Sequence, residues 1–66
     1  MMRRFNCVLS DRAFKTLDDL AKERGKSRKD IVQDSLALEQ WFNEAQAEGD
    51  RILVERDGQI REIVPR

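Results

Sequence analysis

The sequence predicts a small α+β fold, mainly helical, in which two chains share one sheet. Three observations carry this. The first residues alternate apolar and polar, as a half-buried strand does. The middle of the chain repeats its apolar residues at helical spacing. The last eighteen residues hold two β-prone runs around Asp57-Gly58. The first strand has no partner in the 38 residues that follow it. One strand cannot satisfy its own backbone N–H and C=O groups, and the nearest available partner is the same strand of a second chain.

That strand spans residues 2–9. Phe5, Cys7 and Leu9 fall on one face; Met2, Arg4, Asn6 and Val8 fall on the other. Ser10 follows as a helix N-cap, with Asp11 placed to suit the helix dipole. Residues 11–24 read as the first helix, with Ala13, Phe14, Leu17, Leu20 and Ala21 on one face. Arg24 then Gly25 is a stop signal: a cation in the last turn, then a residue free to go left-handed. Ser27 with Asp30 three residues on resembles a capping box and opens a second helix over 28–48. That helix would be about 31 Å long. Its apolar residues, Ile31, Val32, Leu36, Leu38, Trp41, Phe42 and Ala45, cover a broad face that suits more than one neighbour. Trp41 and Phe42 belong either to a dimer core or to a partner-binding patch. Gly49-Asp50 ends the helix, and Asp57-Gly58 closes a hairpin in which Arg56 faces Gln59, Val54 faces Arg61 and Ile52 faces Ile63. Pro65 ends the last strand because it cannot donate to a ladder. The expected organisation is a helical domain over 1–48 and a hairpin extension over 49–66.

Composition narrows the function. Sixty-six residues form one domain at most and bury little surface alone, so such chains rely on disulfides, metals or oligomerisation. With no histidine and a single cysteine, no metal cage and no intrachain disulfide is available. Cys7, on the apolar strand face, reads as a buried, inert thiol, with a Cys7–Cys7 bridge between chains as the other option. No apolar run approaches a membrane span, and Arg3-Arg4 has no hydrophobic region of a signal peptide behind it. The expected location is the cytoplasm, without membrane contact. No enzyme is expected, because the carboxylates are scattered and nothing supplies a nucleophile and base; catalytic residues, cofactors and metals are all read as none.

The net charge of zero hides an asymmetry. Residues 1–29 carry nine Lys or Arg against four acids, and residues 30–66 carry four against nine. A basic half points to a polyanion partner. Paired across a two-fold axis, the two first strands form a ribbon narrow enough for the major groove of B-DNA. Its outward side chains suit base edges: Arg4 for guanine O6 and N7, Asn6 for adenine N6 and N7, Val8 for the thymine methyl, with Met2 beside them. The start of the second helix suits phosphates. Lys26, Ser27, Arg28 and Lys29 combine a hydroxyl and three cations with orphan N–H groups. Phe5, Cys7, Leu9, Ile31, Val32 and Leu36 are the expected dimer core.

In the order of its elements the chain resembles the ribbon-helix-helix transcriptional regulators of the MetJ/Arc/CopG type. The carrying residues are Arg4 to Ser10, then Leu17, Leu20, Ala21, Gly25 and Ser27, then Ile31 and Val32. The resemblance covers roughly residues 2–45. It implies an obligate homodimer, a ribbon inserted in the major groove of double-stranded DNA, and phosphate clamping at the start of the second helix. Two positions depart from the pattern: Val8, where many relatives carry a polar residue, and Lys26, where many carry an apolar one. The hairpin lies outside the family core, and comparable tails bind a partner or build higher oligomers. The expectation is therefore a sequence-specific repressor. Two alternatives remain open: an antitoxin with the same DNA-binding dimer, whose acidic C-terminal half holds a toxin protein, or an interaction module that keeps the fold without binding DNA.

Overall fold

A computed structural model describes residues 2–64. It holds two helices and a two-stranded antiparallel sheet: α1 (Asp11–Arg24), α2 (Arg28–Ala47), β1 (Ile52–Arg56) and β2 (Gln59–Ile63). The chain divides into two compact units, one up to Ser35 and one from Leu36 on, with α2 running from the first into the second.

In the first unit, the caps set the helix limits as the sequence implies. Ser10 is extended, and its Oγ accepts the Ala13 N–H at 3.1 Å. Its carbonyl accepts the Phe14 N–H at 2.9 Å, the first turn of the helix ladder. Gly25 sits at φ 64, ψ 36. The Gly25 N–H reaches the Lys22 carbonyl and the Lys26 N–H reaches that of Ala21, the paired closure of a Schellman turn. A side chain is disfavoured at that φ, so glycine is the residue that lets the chain reverse here. Two residues later Ser27 caps α2, its Oγ accepting the Asp30 N–H at 3.1 Å. Ala21 and Ile31 are the buried hydrophobic residues of this unit.

The expected first strand, residues 2–9, has no strand ladder in the single chain; residues 2–10 carry no regular structure. The physical reason is the one that makes the strand unusual. A strand exists through the hydrogen bonds of a neighbour, and among the described residues the strand pairing is that of β1 with β2. Its apolar face is correspondingly bare: Phe5 is 87% exposed, and Cys7 and Leu9 are exposed too.

In the second unit, α2 stops at Ala47, one residue short of the expected end, because Glu48 is taken into the turn. Gly49, at φ 81, donates to the Gln46 carbonyl, and Asp50 donates to that of Ala45. The hairpin has the anticipated register: Ile52 opposite Ile63, Val54 opposite Arg61, Arg56 opposite Gln59. Asp57 and Gly58 both have positive φ, 51 and 79, as a type I′ turn requires. Ala45 is buried, and Phe42 and Ile52 are half-buried. Leu38, Trp41, Leu53, Ile60 and Val64 stay exposed. The strand-ending role expected of Pro65 lies outside the described residues.

Candidate nucleic-acid interface

Residues 2–9 join α1 with no linker, because Ser10 is at once the end of the segment and the cap of the helix. Met2, Arg4, Asn6 and Val8 are all exposed, Val8 completely. None of the four makes a side-chain hydrogen bond or ion pair among the described residues.

The corner between α1 and α2 holds all four residues expected to meet phosphate. Ser27 spends its Oγ on the Asp30 N–H and its carbonyl on the Ile31 N–H. The N–H groups of Arg28 and Lys29, first in the helix, have no carbonyl behind them to bond and point out of its end. The cations are not equivalent. Lys26 Nζ is 2.7 Å from Asp34 Oδ2. Arg28 donates through Nε and Nη2 to Asp18 Oδ1, at 3.2 and 2.8 Å, and its guanidinium lies 4.7 Å over the Phe14 ring. Asp18 also meets Lys22 at 3.2 Å. Its carboxyl is held below the ordinary carboxylate range, first by the Arg28 hydrogen bond and then by that of Lys22. Lys29 makes no ion pair among the described residues.

Sequence reasoning placed the cations but missed their carboxylates. Asp18 and Asp34 lie ten and eight residues from Arg28 and Lys26 in the chain. No helical i,i+4 spacing links these pairs; the turn at Gly25 brings them together. These contacts lie at the surface, where ion pairs are individually weak.

Of the six residues expected in a dimer core, Ile31 is buried within its own chain, at 2% exposure. Phe5, Cys7, Leu9, Val32 and Leu36 remain on the surface. Elsewhere, one groove of about 310 Å³ lies along the hairpin, lined by Val54, Arg56, Asp57, Gln59 and Arg61. No cluster of metal-ligating side chains occurs among the described residues, and no helix there is long and apolar enough to cross a membrane. Comparison with protein-family models, with curated proteins and with solved structures finds no match to this chain.

Proposed function

We propose that the protein is a sequence-specific DNA-binding regulator, a repressor, that acts as a homodimer of the ribbon-helix-helix kind. The carrying observation is the state of residues 2–9: an alternating segment fixed to a capped helix, without a ladder partner, with Phe5 87% exposed. A second chain supplies both missing things. Its own residues 2–9 complete an antiparallel ribbon, and its helices cover Phe5, Cys7 and Leu9 together with Val32 and Leu36. Covering each large apolar side chain contributes about 1.5–3 kcal/mol, enough collectively to hold two small chains together.

Pairing leaves Met2, Arg4, Asn6 and Val8 of both chains on the outer face, a set matched to major-groove edges. The two Ser27–Lys29 corners supply outward N–H groups and a cation to the flanking phosphates. The role is binding, with no chemical step.

The test is binding to a labelled fragment from upstream of the protein's own gene, at several salt concentrations. Arg4→Ala and Asn6→Ala each lose roughly 1–3 kcal/mol of specific binding while the dimer stays folded. Lys29→Ala weakens binding to all sequences alike and lowers the salt slope by about 2, one phosphate contact from each chain. No binding at low salt refutes the proposal and favours an interaction module with the same fold.

A further inference from the structure

The hairpin carries an open edge that discriminates between its two strands. Its two-residue turn makes Arg56–Gln59 a hydrogen-bonded pair, and the alternation continues at Val54–Arg61 and Ile52–Ile63. The N–H and C=O groups of Leu53 and Glu55 therefore point away from β2, and those of Ile60 and Glu62 away from β1. The sheet has two strands only, and these four residues make no backbone hydrogen bonds to turns or loops among the described residues. Both edges are thus unsatisfied templates for a further strand.

Charge decides which edge can accept a second copy. Laid antiparallel on itself at full overlap, β2 centres on Arg61 facing Arg61, two cations at the closest approach a sheet allows. Like charges directly opposite destabilise a ladder. Laid on itself in the same way, β1 centres on Val54 facing Val54, with Leu53 opposite Glu55 and Ile52 opposite Arg56. No like charges face each other. Val54 and Leu53, both exposed in the single chain, are covered, Val54 directly and Leu53 by its diagonal neighbour.

We propose that two copies of this chain pair through the outer edges of β1, antiparallel about a two-fold axis at Val54, giving a four-stranded sheet in the order β2–β1–β1–β2. The contact is isologous, with the same residues on both sides, so it uses one edge of each copy. Four new backbone hydrogen bonds form, from Leu53 and Glu55 of each copy. The surface is far smaller than a stable interface of its own requires, so it acts between chains already held near each other.

Disulfide trapping tests this on the full chain. At the axis, opposed Cα atoms lie about 4.5 Å apart, within the span of a disulfide. With Cys7→Ala removing the native thiol, Val54→Cys forms a covalent dimer under mild oxidation at least tenfold faster than Ile60→Cys. Ile60 is the control because it is exposed on the outer edge of β2 and its substitution leaves Arg61 in place. Adding Glu55→Pro removes an outward N–H of β1, and it slows trapping at position 54. Equal rates at 54 and 60, no trapping at 54, or indifference to Glu55→Pro overturns the proposal. The inference rests on the ribbon dimer proposed above: a dimer in sedimentation equilibrium with no trapping at 54 overturns the β1 contact alone, and a monomer overturns the dimer itself.

Discussion

Truncating Phe5 tests the proposed dimer. Its side chain is 87% exposed in the single chain, so Phe5→Ala removes almost nothing from the intrachain structure. In a symmetric dimer the ring is buried twice. At about 1.5–3 kcal/mol for each buried side chain, the dimer loses about 3–6 kcal/mol, which weakens its dissociation constant roughly 10²- to 10⁴-fold. Sedimentation equilibrium measures that constant directly. Thermal melts at several protein concentrations give it a second time, because the midpoint of a dimer rises with concentration. Phe5→Leu, which keeps most of the apolar area, should lose far less. A dissociation constant for Phe5→Ala within threefold of the parent would refute the reasoning, since Phe5 would then lie outside the shared core.

Two further perturbations probe the first unit. Gly25→Ala places a side chain at φ 64, with no neighbour within 4 Å to blame for any clash, and should cost roughly 1–2 kcal/mol from backbone strain alone, read as a lowered melting midpoint. The Asp18 carboxyl is held below its ordinary value of 3.8 by Arg28 and Lys22, so its contribution is complete above that value and is lost as the pH falls through the depressed one. Melts across the acid range should show this loss in the parent and a smaller one in Asp18→Asn; identical acid profiles would remove Asp18 from the account.

Both limits of α1 and the start of α2 were legible because caps are local. Ser10, Gly25 and Ser27 act within three or four residues of themselves, so a sequence window contains the whole interaction. The hairpin was legible for the same reason, its register fixed by a two-residue turn at Asp57-Gly58. The partners of Lys26 and Arg28 were not. Asp34 and Asp18 reach them across a reversal whose geometry depends on how α1 and α2 leave Gly25, and no periodicity encodes that. Phe14 shows the same limit: helical spacing placed it with the apolar face, yet it is 45% exposed beneath the Arg28 guanidinium. Residues 5–9 mark the opposite case. Their alternation is plain in the sequence, yet they form no strand in the single chain.

The carboxylates at the α1–α2 corner also change what salt can report there. A free cation in solution gathers mobile ions, and an anion that docks on it sets them loose, which is why such binding weakens as salt rises. Lys26 and Arg28 carry counterions of another kind, Asp34 and Asp18, which are tethered by the backbone. Displacing a tethered group frees no particle into solution. If the proposed phosphate contact forms at this corner, the anion exchanges one partner for another at Lys26 and Arg28 and gains mobile-ion entropy chiefly at Lys29. On that reading the corner counts as one cation in a salt titration, although it holds three.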